Sequence, residues 1–377
     1  MASLPASPVL TRAIANGDKD MNVLEYMERY GHEQFSVYTD ASVGLRAFIA
    51  IHDTTLGPAL GGVRVWPHPT EDAAVMDVLR LSRAMTYKSA AAGLNFGGGK
   101  GLIMADSRKD KSEALMHSYG RFVESLGGRY ITTEDVGITL QDLEWIAQET
   151  SHVTGLPVSL GGSGDTSPMT GFGVYQGMRA CAKEAWGGDS LAGRVVAIQG
   201  FGHTATALVE NLQKHEDGVK FIVTDINEDA LARAKQYPGV QVVGADDIFG
   251  VACDIFAPCA LGGILNSKTI PRLRCRIVCG SANNQLLELE DADAIQKRGI
   301  LYAPDYIVNA GGVINVSCEV GTAYSEEASR EKTARIYENT QRVIAISKRD
   351  GLSTARAADH LAEERIAAMR KVRRVYL

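Results

Sequence analysis

Between residues 70 and 104 the hydrophobic positions change period twice. Val75, Val78, Leu79 and Met85 recur at helical spacing, Pro69-Thr70 followed by Glu71 and Asp72 supplies a helix start, and Lys88 closes the segment. Gly97, Gly98 and Gly99 follow as a run without Cβ atoms, so another group can approach that backbone closely; a plain turn is the alternative. Lys100 then leads into the strand-like Gly101-Leu102-Ile103-Met104. Upstream, the pattern predicts a short helix over 22–30 and strands over 35–38 and 45–51, then turn residues over 56–62. Downstream it predicts a helix over 113–126, a strand over 130–133 ending on Glu134-Asp135-Val136-Gly137, and a helix over 138–147. Strands and helices mixed this way predict an α/β first domain over 21–154. Residues 1–20 are polar and without a period, and read as a loose extension.

Gly, Ser and Pro dominate residues 155–168, as at a domain boundary. A second domain is expected over 155–349. After a helix over 170–186, Arg194-Val195-Val196-Ala197-Ile198-Gln199 has the apolar run of a buried strand, and Gly200-Phe201-Gly202-His203-Thr204-Ala205 follows it. This is the strand, G-x-G-x-x-A turn and helix of a dinucleotide site. The first glycine makes the tight turn, the second admits the pyrophosphate, and the small third residue lets helix and sheet pack. A second strand over 221–224 ends on Asp225, twenty positions after Ala205, with Ile226 beside it. A carboxylate there accepts hydrogen bonds from an adenosine ribose and repels a 2′-phosphate, so the expected cofactor is NAD rather than NADP. Further strands over 240–243, 253–257, 276–279 and 300–302 complete a Rossmann-type doubly wound parallel sheet. Cys259-Ala260 and Asn283-Asn284 stand at strand ends where a cofactor would lie; a plain turn is the alternative for the asparagines. Residues from 309 onward are helical, and the last helix, within 350–377, is expected to pack back on the first domain.

Charge and composition narrow the field. The 377 residues are 45% hydrophobic and 22% charged, with net charge −6, so neither nucleic acid nor an anionic membrane has general electrostatic support as a partner. The basic run from Arg370 to Arg374 reads as a solvated helix end. No stretch approaches the ~18 apolar residues of a membrane span, nothing marks export, and a cytoplasmic protein is expected. Cys253, Cys275 and Cys279 sit in apolar strand-like segments and read as reduced core residues. Eight scattered histidines and no Cys-x-x-Cys pair give no metal site.

The candidate chemistry rests on lysines. A lysine in apolar company loses charge through desolvation and then acts as a base near neutral pH; the alternative is that Lys88 and Lys100 are both solvated. An α-amino acid suits two lysines, one for its carboxylate and one to activate water against the imine left by hydride loss. Asp135 is placed to move protons, although Glu134-Asp135 also reads as a plain acid pair before a helix.

Several segments together resemble the Glu/Leu/Phe/Val dehydrogenase family, most strongly its members acting on leucine. They are Leu56-Gly57-Pro58-Ala59-Leu60-Gly61-Gly62, the stretch from Met85 to Lys100, and Thr133-Glu134-Asp135-Val136-Gly137 in the first half. In the second half they are Asp254-Ile255-Phe256-Ala257-Pro258-Cys259-Ala260, Gly280-Ser281-Ala282-Asn283-Asn284-Gln285 and Tyr302-Ala303-Pro304-Asp305-Tyr306. The resemblance implies a homo-oligomeric enzyme that converts an L-amino acid, NAD and water to a 2-oxo acid, ammonium and NADH, in a site closed by domain movement. It implies that Lys88 binds the substrate carboxylate, Lys100 activates water and Asp135 exchanges protons with the amine. Asn284 would contact substrate and cofactor, Thr170 would hold the nicotinamide amide, and Asn309 would join the cofactor set with Cys259 and Ala260. The side-chain pocket maps to Leu60, Gly61, Thr133, Val313 and Val316; it carries no charge, which argues against glutamate and for leucine, valine or isoleucine. Two positions depart from the family pattern. Thr133 stands where Ala or Gly is usual, which should shrink the pocket, and His203-Thr204 replaces Asn-Val after the second glycine. An aromatic amino-acid dehydrogenase is the alternative reading, and a non-catalytic NAD-binding sensor a more distant one, opposed by the presence of Lys88, Lys100 and Asp135.

Overall fold

The computed structural model describes residues 22–372. The extension expected over 1–20, and Arg373 and Arg374 of the basic run, lie outside the described residues. The chain forms two compact units. One holds residues 22–166, 313–328 and 362–372, and the other holds 167–312 and 329–361. Divisions expected after 154 and 349 therefore stand beside observed changes of unit after Thr166, Gly312, Ala328 and Leu361.

The first unit is built on a mixed sheet. Its elements are α1 (Val23–Tyr30), β1 (Gln34–Asp40), β2 (Leu45–Asp53), β3 (Ala59–Val65), α2 (Glu71–Ala91), β4 (Gly97–Ile103), α3 (Glu113–Glu124), β5 (Tyr130–Thr133) and α4 (Leu140–Ala147). The strand order is β1-β2-β4-β3-β5, with β1 and β2 antiparallel, β2 and β4 antiparallel, and β3 parallel to both β4 and β5. Thr70 caps α2 by accepting from the Ala73 N–H at 3.2 Å, as the sequence predicted. The apolar stripe of α2, with Val75, Val78 and Leu79, packs on Phe48 and Leu102 of the sheet. Tyr119, Phe122, Leu143 and Ile146 of α3 and α4 form a separate core with Ile49, Val63, Ile103 and Tyr130.

The turn expected over 56–62 gives way to a strand from Ala59, and the glycine run, expected to be closely approached, is approached closely within a strand and not as a plain turn. Residues 59–65 form β3, and Gly97, Gly98 and Gly99 open β4, the middle strand of the sheet. Glycine is ordinarily a strand breaker; here it is required by packing on both faces. A Cβ on Gly98 would lie 2.1 Å from the Thr86 nitrogen of α2, one on Gly99 would lie 2.6 Å from the Tyr130 ring, and one on Gly101 would lie 2.1 Å from the Tyr119 hydroxyl. On β3, a Cβ on Gly61 would lie 1.8 Å from the Gly99 carbonyl oxygen.

The second unit is built on a parallel sheet. It contains α5 (Ser167–Trp186), β6 (Val195–Gln199), α6 (His203–His215), β7 (Lys220–Thr224), α7 (Glu228–Ala234), β8 (Val240–Val242), β9 (Ile255–Pro258), β10 (Ile277–Val278), α8 (Glu290–Lys297), β11 (Leu301–Tyr302) and α9 (Asp305–Val308). Its strands run in the order β8-β7-β6-β9-β10-β11 and all pair in parallel. The winding direction reverses between β6 and β9, the switch point where doubly wound sheets take their ligands.

The helices α10 (Gly311–Ser317), α11 (Glu326–Ala334), α12 (Ile336–Asp350) and α13 (Thr354–Arg370) end the described chain. The end of α13 packs on the mixed-sheet unit, as expected. Arg365 donates to the carbonyl oxygens of Ala90 at 3.0 Å and Leu94 at 2.7 Å, and Tyr87 donates to Glu363 at 3.1 Å. Arg370, expected to be solvated, pairs with Asp53. Among the described residues no helix is long and apolar enough to cross a membrane.

Gly98→Ala forces either α2 or β4 to move, because the atoms it meets are backbone. We expect a loss of about 2 kcal/mol or more, within the range for overpacking, read as a fall of roughly 4–8 °C in thermal midpoint for a unit of this size. An unchanged midpoint would show that helix and strand separate freely.

Candidate active site

Lys100 lies in the middle strand of the mixed sheet, not at an edge, and its side chain is 7% exposed. Strand alternation puts it on the same face as Leu102, which packs against α2. Arg64, the register partner of Leu102 on β3, shares that face. Asp135 follows β5 and reaches both: its Oδ2 lies 2.6 Å from Lys100 Nζ and accepts from Arg64 Nε at 3.0 Å. Arg64 also donates through Nη1 to Asp77 Oδ2 at 3.0 Å, and His68 Nε2 lies 3.4 Å from the same oxygen. Positive and negative groups thus alternate from Lys100 through Asp135 and Arg64 to Asp77.

Burial pushes the Lys100 amine below the ordinary lysine range; the Asp135 carboxylate opposes that shift and the Arg64 guanidinium adds to it. Burial raises the Asp135 carboxyl, but Lys100 and then Arg64 outweigh it and hold Asp135 well below the usual carboxylate range. Asp77 is lowered in the same way, with His68 and Arg64 outweighing its burial. The result is an amine that gives up its proton readily beside a charged carboxylate, a pair suited to proton transfer. Asp135 is the more accessible member, with 22% of its side chain exposed.

Of the other residues expected at the substrate, Leu60, Gly61, Lys88, Thr133, Val313 and Val316 share this unit, whereas Asn284 belongs to the parallel-sheet unit. Lys88 is half-buried in the last turn of α2, two positions after Thr86, which abuts Gly98. Leu60, Thr133, Val313 and Val316 are all buried. The backbone of Gly155 gathers part of this set: a Cβ built there would lie 2.9 Å from Thr133 Oγ1, 3.5 Å from Leu143 and 3.7 Å from Val316. The Thr133 hydroxyl is buried without a hydrogen-bond partner. Glu319 fixes Gly155, since both its carboxylate oxygens accept from the Gly155 N–H, at 2.9 and 3.0 Å, and Oε1 also accepts from the Ser163 N–H at 2.9 Å.

The residues expected at the cofactor lie in the parallel-sheet unit: Thr170, Gly200, Phe201, Gly202, His203, Thr204, Asp225, Ile226, Cys259, Ala260, Asn284 and Asn309. Gly200 has φ 94°, and a Cβ there would lie 2.5 Å from that of Ala260, so the turns after β6 and β9 touch at the switch point. Gly202 caps α6, and a Cβ on it would meet nothing within 4 Å. Open space at a helix N-terminus fits a pyrophosphate. Asp225 is already oriented: Oδ2 accepts from the Phe201 N–H at 2.6 Å and Oδ1 from the Asn227 N–H at 2.8 Å, which leaves lone pairs on both oxygens. Ile226 beside it is 90% exposed. Asn284 has φ 52°, and Asn309 donates to Asn283 Oδ1 at 2.7 Å.

Sequence reading missed Arg64, Asp77, His68 and Glu319. Arg64 sits on the strand taken for a turn. Asp77 carried a usable signal, as a carboxylate on the helix face that also bears Ala74 and Val78. Glu319 carried none.

A parallel sheet with a glycine turn at its switch point, and a buried lysine–aspartate pair on a second unit, define a nicotinamide-dependent amino-acid dehydrogenase. The chain belongs to the Glu/Leu/Phe/Val dehydrogenase family. Residues 32–152 match the model described as "Glu/Leu/Phe/Val dehydrogenase, dimerisation domain", and residues 161–227 and 222–374 match that of "Glutamate/Leucine/Phenylalanine/Valine dehydrogenase". The chain is 55% identical over 357 residues to leucine dehydrogenase of Geobacillus stearothermophilus, covering 95% of this chain and 96% of that protein. It is 47% identical over 353 residues to phenylalanine dehydrogenase of Caldalkalibacillus thermarum, covering 92% and 94%. Among solved structures it resembles L-tryptophan dehydrogenase from Nostoc punctiforme, with TM-score 0.81, 42% identity, and coverage of 93% of this chain and 100% of that one.

With neutral Lys100 as the reactive form, kcat/KM rises with pH through the Lys100 pKa. Asp135→Asn removes the charge that holds the proton on Lys100, so that limb moves to lower pH and kcat falls. Arg64→Gln removes a repelling charge, so the limb moves to higher pH. Each shift is expected to be about one unit or more. Limbs that move together, or stay put, in pH profiles of the two variants would detach Lys100 from this network.

Proposed function

We propose that the protein catalyses reversible, NAD-dependent oxidative deamination of a branched-chain aliphatic L-amino acid, giving the 2-oxo acid, ammonium and NADH. The observation that carries this reading is the buried Lys100–Asp135 pair, in a chain 55% identical to a leucine dehydrogenase. Lys88 pairs with the substrate carboxylate. Asp135, ionised and partly accessible, takes a proton from the substrate ammonium. Bound NAD, held by the residues named below, would supply the acceptor for the hydride lost from the substrate α-carbon. Lys100 in its neutral form removes a proton from water as the water adds to the iminium, Asp135 returns its proton to the nitrogen of the carbinolamine, and the C–N bond breaks as the hydroxyl proton passes to the departing ammonia, giving the 2-oxo acid and ammonium with one proton left on Lys100. Asn284 orients the substrate toward the cofactor.

The choice of NAD follows from the carboxylate of Asp225, whose free lone pairs suit the adenosine ribose diol, while the exposed Ile226 offers the adenine an apolar surface. Gly200 to Thr204 form the pyrophosphate turn, Cys259 and Ala260 border it, and Thr170 and Asn309 hold the nicotinamide side. Leu60, Gly61, Thr133, Val313 and Val316 receive the substrate side chain. The uncharged set argues against glutamate, and the bulk of Thr133 disfavours aromatic side chains. We also propose a homo-oligomer, supported by the dimerisation-domain match and by the edge strand β1, on which Val37 is exposed.

The test is NADH formation with Leu, Val, Ile, Phe, Trp, Glu and Ala, using the wild type and Lys100→Ala. Branched side chains should dominate, and the variant should lose at least about two orders of magnitude in kcat, the scale of general acid–base catalysis. NAD binding without turnover of any amino acid would replace this reading with that of a sensor. Thr133→Ala removes both bulk and an unpaired hydroxyl; relative kcat/KM for Phe over Val should rise by about tenfold or more. No gain for larger side chains would remove Thr133 from the selectivity of the pocket.

A further inference from the structure

The register of the parallel sheet sets two cysteines side by side. On β9 and β10, Ile255 pairs with Ile277 and Phe256 with Val278, and an isolated bridge extends the same register to Ala252 and Arg274. Cys253 and Cys275 are therefore opposite one another, and the Cys253 N–H donates to the Arg274 carbonyl at 3.3 Å. Register partners in parallel strands point their side chains to the same face, and the strand spacing of about 4.8 Å lies inside the Cα separation of about 4.4–6.8 Å that a disulfide spans. Both thiols are expected to be core residues by sequence, yet both are only partly buried, at the rim of the cluster formed by Ile248, Phe256 and Ile270. Cys181, Cys279 and Cys318, by contrast, are buried.

We propose that Cys253 and Cys275 form an oxidation site, a neighbouring thiol pair that hydrogen peroxide closes to a disulfide. The pair lies at the starting ends of β9 and β10, away from the ends carrying Cys259 and Ala260, so closure ties together the two ends of the segment that bears both residues. Cys275 is the nucleophile: hydrogen bonding from Cys253 lowers its thiol, and the nearby Arg298 adds to the effect. The Cys275 sulfur attacks the peroxide O–O bond, giving a sulfenic acid and one water. The Cys253 sulfur then displaces the sulfenic oxygen as a second water. Two S–H bonds are lost, one S–S bond forms, and the peroxide is reduced by two electrons.

The test uses the full-length protein, reduced and then treated with hydrogen peroxide, alkylated, digested and analysed by mass spectrometry. The expected product is a peptide linked between Cys253 and Cys275, with two of the six thiols lost to titration and recovered with dithiothreitol. The oxidised wild type should melt several degrees above its reduced form, because the link closes a loop of the chain. Cys253→Ser should give no link and instead accumulate a Cys275 sulfenic acid that dimedone traps; Cys275→Ser should give neither. Neither residue belongs to the proposed catalytic set, so amino-acid turnover under reducing conditions reports that each variant is folded. Loss of two thiols without the linked peptide, or stepwise oxidation of Cys275 to sulfinic acid in the wild type, would overturn the pairing. So would a wild type in which both thiols stay titratable.

Discussion

A lysine amine placed in the middle strand of a sheet has to be answered by opposite charge, and much of the mixed-sheet unit follows from that requirement. Leaving one partner of a buried ion pair unmatched costs about 3–5 kcal/mol. Asp135 answers Lys100 directly at 2.6 Å, but a second cation, Arg64, shares the same oxygen and needs a second carboxylate, Asp77. The alternation spreads two positive charges over two negative ones, so the set as a whole is close to neutral. It also leaves Lys100 between a carboxylate that holds its proton and a guanidinium that repels it. A lysine facing Asp135 alone would hold its proton more tightly; one facing Arg64 alone would not sit stably in a sheet.

Glycine serves the two units in opposite ways. In β4 the glycines exist to be touched: helix α2 presses on Gly98 and the Tyr130 and Tyr119 side chains press on Gly99 and Gly101, so the backbone beside Lys100 has little room to shift. At the turn after β6, Gly200 is needed both for its positive φ and for contact with Ala260, whereas Gly202 borders empty space at the start of α6. Close packing around the reacting amine preserves its distance to Asp135. Open space at a helix N-terminus preserves room for an anion. The same residue type thus marks a rigid wall in one place and a ligand berth in the other.

The parallel-sheet unit was largely legible in the sequence because its signals are local: an apolar strand, a glycine turn, a helix and a carboxylate at a set spacing. In the mixed-sheet unit the helices were legible and the central strands were not, since Gly61, Gly62 and Gly97 to Gly99 read as breakers until both faces of the sheet were known. Arg64 went unnoticed for that reason. Its partners Asp77 and Asp135 are 13 and 71 positions away, and no local pattern joins them. The pairing of Cys253 with Cys275 is likewise a matter of register, which periodicity alone does not supply.

The residues around Gly155 combine a buried hydroxyl without a partner and a backbone held by a carboxylate. A buried hydroxyl without a partner costs about 1–3 kcal/mol, so Thr133 lowers stability where alanine would not. Beside it, Glu319 holds the Gly155 backbone through both carboxylate oxygens, and Val316 approaches the same glycine. A threonine in that position is thus retained against a stability penalty. What it adds is volume: one methyl and one hydroxyl taken from the space a substrate side chain would fill. On the proposed assignment of Thr133 to the side-chain pocket, preference among aliphatic and aromatic amino acids becomes a question of the room left beside it, with Glu319 bounding that room through Gly155.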